Sequence, residues 1–308
     1  IPQDMKWDET RKEFILKRYE DLTREASLGK PGLIIWPETS VPGYFELETD
    51  IFERITNLVK DIKIPLIVGS VGYDFENGGK PFNSAILIPP TGGQVKNSAE
   101  HFERHNKLHL VPFGEFVPFE RWLGFIRNFV YVGDFKSGRE YALLIPLSEF
   151  HGLRPRMNGG WGRRPTGYAR GAPDIDSARI GTLICFEDTF SDIVRNFVKT
   201  GANLMVNITN DAWFKNSSAP FQHAQASVFR AVENRVFVVR CANTGLSCFI
   251  DENGRVYGRV RDDAGKNIDV TGFSIKEVGL LNSKTFYTRY GDLFVFICMI
   301  VSAVAIVF

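Results

Sequence analysis

Apolar residues recur along the chain with two periods. Across residues 8–28 they fall at Phe14, Leu16, Tyr19 and Leu22 among charged positions, a helical spacing. PGLIIWPE follows, a short apolar run broken by proline and ending at Glu38, and reads as a strand. Residues 51–62 carry a second helical pattern. PLIVGSVGY and NSAILIPP read as strands, the latter followed by a TGG turn, and a further strand pair is expected across 94–107. Residues 178–186 are predicted as a strand, 190–200 as a helix stopped by Gly201, and ANLMVNITND as the next strand. A helix over 219–234 precedes three strands, RVFVVRCAN, LSCFIDENG and RVYGRV, with an ENG turn at 252–254. Helices and strands alternate, but hairpin-like pairs intervene. That pattern predicts an α/β layered domain with mixed sheets rather than a simple doubly wound one.

Two segments break the pattern. Residues 151–177, HGLRPRMNGGWGRRPTGYARGAPDIDS, have no periodicity and no acid before Asp174, and are predicted to form a surface loop. Its arginines give it the composition to touch anionic headgroups, if a membrane lies beside it. Residues 293–308, LFVFICMIVSAVAIVF, carry no charge at all. Their length falls short of the roughly 20 residues that cross a bilayer. We read the run as the start of a transmembrane helix, with a buried C-terminal helix as the alternative. The chain opens IPQDMKWDE, without a charged n-region or signal h-region, so targeting is not readable from this end.

Composition narrows the classes. A hydrophobic fraction of 44% and a charged fraction of 24% describe a globular protein with a full core. A net charge of +1 gives no electrostatic reason to expect nucleic acid. The four cysteines, Cys185, Cys241, Cys248 and Cys298, lack metal-ligand spacing and are too sparse for a disulfide framework, so neither a metal nor a cofactor is expected.

Candidate chemistry sits at three predicted strand ends. In RIGTLICFEDTF an apolar run finishes at Cys185, two places before Glu187, and a helix comes next. A thiol near a helix N-terminus is expected to have a lowered pKa. The plainer alternative is a small buried hydrophobe at a strand end. Glu38 ends LIIWPE, and Lys107 and Glu115 flank the apolar run in KLHLVPFGE. Ligands of open α/β sheets gather outside the strand carboxyl ends. Singly, each residue has an ordinary explanation as a solvated turn or surface group. Together a carboxylate, an ammonium and a thiol form an acyl-transfer set of base, oxyanion support and nucleophile.

WPET-x-x-P, K-x-H-L-V-P-F-G-E-x-x-P and C-F-E along one chain resemble the Glu-Lys-Cys triad of the nitrilase, or carbon-nitrogen hydrolase, superfamily. Within it, IPQDMKW, LVPFGEFVP, NDAWF at 210–214, QHAQASVFRAVENRVFVVRCANTG at 222–245 and the terminal TRYGD resemble the apolipoprotein N-acyltransferase family. That resemblance implies a four-layer αββα sandwich over residues 1–285, interrupted by the 151–177 insertion. It also implies a membrane helix from 293, and an N-terminal membrane portion that this chain does not contain. It implies placement on the periplasmic side of a bacterial inner membrane. The implied reaction passes an acyl chain from a phospholipid to the cysteine as a thioester. The chain then moves to the N-terminal amine of an S-diacylglyceryl-cysteine lipoprotein. Glu38 would be the general base, Lys107 the oxyanion stabiliser and Cys185 the nucleophile, with Glu115 and Glu187 as supporting carboxylates. Phe186 stands where that family often has tyrosine.

Trp7, Phe186, Trp213 and Phe214 are candidate acyl-groove residues, as is Trp36, against the plainer reading of aromatics as core. His109 and His223 are read as structural, and Arg230, Glu233 and Arg235 as a charged helix face or as intradomain pairs. Two rival functions share parts of this pattern. A soluble amidase or nitrile hydrolase would have the same triad, and a non-catalytic membrane module would keep the fold without needing it.

Overall fold

The computed structural model describes residues 1–2, 5–6, 8–73, 79–91, 102–125, 133–145, 175–215 and 217–307. Two sheets carry the fold. In the first, β1 (Ile34–Ile35) runs parallel to β2 (Leu66–Tyr73), which continues antiparallel through β3 (Pro81–Ile88) to β4 (Glu103–Asn106). In the second, β5 (Leu143–Leu144), β6 (Ile180–Ile184), β7 (Leu204–Asn210), β8 (Phe237–Asn243), β9 (Cys248–Ile250) and β10 (Val256–Tyr257) lie side by side. Its centre, β6–β7–β8, is parallel, and the outer pairings are antiparallel. The sheets are mixed, as the hairpin-like pairs predicted.

Layering follows from which faces are apolar. Helices α1 (Lys12–Ser27) and α2 (Thr49–Ile62) cover the first sheet. Ile51, Ile55, Leu58 and Val59 of α2 form one stripe at helical spacing and pack with Leu66 and Val68 of β2 and Ile86 and Ile88 of β3. The alternate residues, Ile67, Ala85 and Leu87, point the other way and meet Ile180, Ile184, Leu204, Val206, Ile208 and Val239 of the second sheet. A short helix, α3 (Glu120–Leu123), comes after the Lys107 loop. The second sheet's far face is covered by α4 (Ser191–Thr200) and α5 (Ala219–Asn234), through Ile193, Val194, Phe197, Ala224 and Ala231. The order is helices, sheet, sheet, helices. Each fully buried Ile, Leu or Phe here stabilises by roughly 1.5–3 kcal/mol.

Local signals set the ends. Gly201 closes α4 in the left-handed conformation at φ +114, its N–H donating back to the carbonyls of Phe197 and Val198. α4 and α5 are the crossovers that make β6, β7 and β8 parallel. That register puts Ile184, Ile208 and Cys241 level, so Cys185 and Thr209 emerge together at the carboxyl edge.

Several sequence expectations shorten. The PGLIIWPE strand pairs only over Ile34–Ile35, and RVYGRV only over Val256–Tyr257. In both, ladder pairing ends where the chain turns away. Of the strand pair expected at 94–107, β4 is present and pairs with β3, and residues 92–101 lie outside the described residues. The Gly/Arg-rich segment also lies outside them up to residue 174.

After α6 (Phe286–Tyr290) the chain forms α7 (Leu293–Val307), 15 residues long and exposed along its length: Phe294 is 68%, Ile300 64% and Ile306 84% exposed. It is not the buried helix of the alternative reading. Among the described residues, no helix is long and apolar enough to cross a membrane. The α6 segment is fastened to the domain. Arg195 donates to the carbonyls of Tyr287, Thr288 and Arg289, and buried Thr288 donates to Asn234 Oδ1 at 2.9 Å.

Candidate active site

Glu38 lies just beyond β1, Lys107 beyond β4 and Cys185 beyond β6. The fold brings these three strand ends together. Glu38 reaches the site because β2 carries glycine opposite it. A Cβ on Gly69 would lie 2.4 Å from the Pro37 carbonyl oxygen and 2.7 Å from Glu38 Cα, so any side chain there would push the WPE turn outward. Trp36 N–H and Val41 N–H donate to the carbonyls of Ile67 and Gly69, stitching that turn to the strand.

Lys107 is 1% exposed, and its Nζ lies 2.9 Å from Glu115 Oε1 and 3.6 Å from Glu38 Oε1. Burial alone would lower its pKa, but the charges of Glu38, Cys185 and Glu115 outweigh it and the ammonium is held well above its ordinary range. Asn83, on β3, donates from one amide nitrogen to Glu38 Oε1 at 2.7 Å and to Glu115 Oε1 at 2.9 Å. It fixes the two carboxylates relative to each other. Glu115 Oε2 accepts from Val111 N–H, closing its own loop.

Cys185 sits at φ +59, a left-handed conformation that non-glycine residues rarely adopt. That turn lifts the thiol out of the strand direction. Burial raises its pKa first and the charge of Glu38 raises it further, against Lys107 and the Thr209 hydroxyl, leaving it at about 12. The expectation of a lowered thiol pKa is therefore corrected. Cys185 opens a five-residue 3-10 turn rather than a long helix, and desolvation beside a carboxylate dominates. The thiol rests protonated, within reach of the Glu38 charge.

Glu187 has a different task from the other carboxylates. Oε1 accepts from the N–H groups of Leu108 (2.6 Å) and His109 (3.0 Å), and Oε2 from Ile184 N–H (2.8 Å). Burial pushes its pKa up to about 7, opposed by those backbone donors. It staples the segment after Lys107 to the turn of Cys185.

The aromatic candidates separate. Phe186 lines the site, with Lys107 Nζ 5.7 Å from its ring centre. Trp213 is 70% exposed and Phe214 40%, both in the turn after β7. They are open surface, not core. Trp36 is corrected: it is buried, stacked on Tyr19, with its indole N–H on Thr23. Trp7 lies outside the described residues. His109 stacks on Phe190.

Sequence reasoning missed a buried polar cluster behind Cys185. Asp188 accepts from Ser227 Oγ (2.5 Å) and Arg240 Nη1 (2.9 Å) and lies 3.1 Å from His223 Nε2. Asp211 pairs with Arg240 Nη2 at 3.1 Å and His223 Nδ1 at 2.8 Å, and accepts from Thr209. Burial would lower the pKa of His223, but hydrogen bonds to Asp188 and Asp211 raise it to about 9. The available signal was Arg240 itself, an arginine inside the apolar run VFVVRCAN, which demands buried partners. For Asn83 it was a polar residue heading an apolar strand. Of the two readings for the charged residues of α5, intradomain pairing holds for Arg230: it is buried, pairs with Glu233 and donates to the Thr189 carbonyl.

Comparison with known proteins identifies the family. The carbon-nitrogen hydrolase family model matches residues 3–271. The chain is 38% identical to the apolipoprotein N-acyltransferase of Geobacter metallireducens, over 99% of this chain and 51% of that protein. It is 32% identical to the apolipoprotein N-acyltransferase of Brucella melitensis, over 87% of this chain and 45% of that protein. The chain thus spans about half the length of the curated relatives it matches. Among solved structures, an amidase from Nesterenkonia sp. AN1 aligns with a TM-score of 0.51 at 16% identity, covering 80% of both chains. That structure holds the acetamide moiety of fluoroacetamide covalently added at its active site cysteine. Saccharomyces cerevisiae Nit3 aligns at 0.52 and 17% identity, over 81% of this chain and 80% of that one. At such identities these two show the fold alone. With the family model matched across the layered domain, this chain belongs to the carbon-nitrogen hydrolase family.

Proposed function

We propose that this chain carries the catalytic centre of an apolipoprotein N-acyltransferase, with residues 1–285 as its catalytic domain. The observation that carries the reading is the buried contact of Glu38, Lys107 and Glu115 beside a protonated Cys185. Glu38 takes the thiol proton as sulfur attacks the ester carbonyl carbon of a phospholipid, and Lys107 Nζ supports the oxyanion. Collapse breaks the ester C–O bond, and Glu38 returns the proton to the departing lysophospholipid alkoxide. The thioester is then attacked by the N-terminal amine of a diacylglyceryl-cysteine lipoprotein. Glu38 accepts the amine proton and hands it to the leaving thiolate. Proton, acyl group and leaving group balance with no cofactor.

Two features favour a lipid substrate over a small amide. Phe119 and Trp122, 77% exposed each, and Trp213 stand open on the loops after Lys107 and β7. The apolar α7 is open as well, which suits the first part of a bilayer-embedded helix in a bacterial inner membrane, the catalytic domain facing the periplasm. Trp213, Phe214 and Phe186 then border the acyl path. The test is to incubate the protein with a phospholipid labelled in its acyl chain. A hydroxylamine-sensitive label on Cys185 is expected; absence of label, with turnover of small amides instead, would overturn the reading in favour of a hydrolase.

A further inference from the structure

Lys6 stands outside the set described so far, yet it is buried at 6% exposure. Its Nζ donates to the backbone carbonyl of Glu38 at 2.9 Å and to Thr39 Oγ1 at 3.0 Å. Burying an ammonium carries a large desolvation penalty, and ordering a long lysine side chain costs conformational entropy as well. Two neutral acceptors do not offset that. The charge that acts in its favour is that of Glu38, and a thiolate at Cys185 would add to it; both residues belong to the proposed reaction centre. Burial still wins, and Lys6 titrates at about 8.

The turn it grips is under strain. Thr39, β-branched, sits at φ +44. Gly69 supports that turn from the strand side, where no side chain fits. Lys6 supplies its other anchor, so the Glu38 carboxylate is aimed by a backbone fixed on both sides. Charge gives a second consequence. Lys107 and Lys6 balance the carboxylates of Glu38 and Glu115. Glu187 and Asp211 add further acidic groups nearby, so loss of Lys6 makes the pocket one charge more negative, and a thiolate or oxyanion would add another.

We propose that Lys6 is a positioning residue of this centre, clamping the Glu38–Thr39 turn and supplying the second positive charge that lets Cys185 lose its proton to Glu38. The assignment rests on the acyltransferase reading only for what the thiolate goes on to attack. The groups that face Lys6 by charge are Glu38, Cys185 and the Ile1 amino group. Its charge is complete well below pH 8 and lost above it.

The test is alkylation of Cys185 by uncharged iodoacetamide, read on the Cys185 peptide so that Cys241, Cys248 and Cys298 do not contribute. Lys6→Met is expected to slow the reaction about tenfold at pH 7, the scale of one pKa unit. The difference should narrow above pH 9, where the wild-type lysine has lost its charge and keeps only its N–H donors to the turn. It should shrink below about twofold in a Glu38→Gln background, since coupled residues are not additive. A wild-type rate in Lys6→Met overturns the proposal, and so does a slowing of undiminished size both above pH 9 and in Glu38→Gln, as a packing defect would give. Should Lys6→Met fail to fold, Thr39→Val decides. An approximately threefold slowing at pH 7 supports the clamp, and an unchanged rate overturns it. No lipid enters this assay. Failure to load phospholipid with the alkylation coupling intact would sink the acyltransferase reading and leave Lys6 standing; the reverse would sink Lys6 alone.

Discussion

At the carboxyl ends of the strands, Lys107, Glu38, Glu187, Asp188, Asp211 and Arg240 are all buried, whereas in α7 Phe294, Ile300 and Ile306 face outward. Both regions invert the usual rule, and they do so at opposite cost. Each buried ion loses several kcal/mol of hydration that its partners only partly restore. An apolar set of equal volume would be at least as stable, so the cluster is accounted for by chemistry rather than stability. Among the described residues nothing covers α7, and apolar surface left in water forgoes about 25 cal/mol per Å². The first region finds its partners among the described residues. The second does not.

The largest effect should come from the nucleophile. Cys185→Ser should remove the acyl-enzyme altogether, since this base cannot activate a hydroxyl, while Ala at Cys241, Cys248 or Cys298 should leave labelling intact; mass spectrometry of the trapped protein distinguishes them. Lys107→Ala removes the oxyanion support, a loss of about 3–4 kcal/mol in charging rate on the scale of single donors. It also strands Glu38 and Glu115, so the melting temperature should fall with it, and single-turnover kinetics beside calorimetry separates the two. Removal of residues 293–307 should test the other side of the comparison. Vesicle flotation is expected to drop sharply, whereas iodoacetamide should still reach Cys185 at the parental rate. Loss of both together would mean that α7 supports the catalytic fold.

A smaller effect concerns the cluster behind the nucleophile. The folded pKa of His223, about 9, lies above the unfolded value of about 6.5. Its contribution to stability is therefore full below about pH 6.5 and lost as pH rises through about 9. Urea midpoints should fall across that window, and His223→Gln should start lower and flatten the profile. A wild-type midpoint that is level from pH 6 to 10 would contradict the pairing with Asp188 and Asp211.

Most of the layered architecture was legible because its elements obey simple periods. Ile51, Ile55, Leu58 and Val59 sit on one helical face, and Leu66, Ile67 and Val68 alternate across β2. Glu38, Lys107 and Cys185 were legible as polar punctuation at strand ends. The illegible part depends on long-range contact. The Cys185 pKa is set by desolvation and by a carboxylate on the other sheet, not by the local turn. Asn83 matters because it spans Glu38 and Glu115, residues 45 and 32 positions away. Trp36 carries the same sequence signature as an open aromatic, and only the stacking of Tyr19 makes it core.

The most direct measurement is the fate of a preformed thioester on Cys185. Charged protein, freed of phospholipid, is held in buffer and then given a peptide with an N-terminal S-diacylglyceryl-cysteine. A transferase site keeps water from the thioester, so the label should persist alone and move to the peptide amine when it is added, giving ping-pong kinetics. Rapid loss of label to water, at a rate that ignores the peptide, would contradict the acyltransferase and identify a hydrolase.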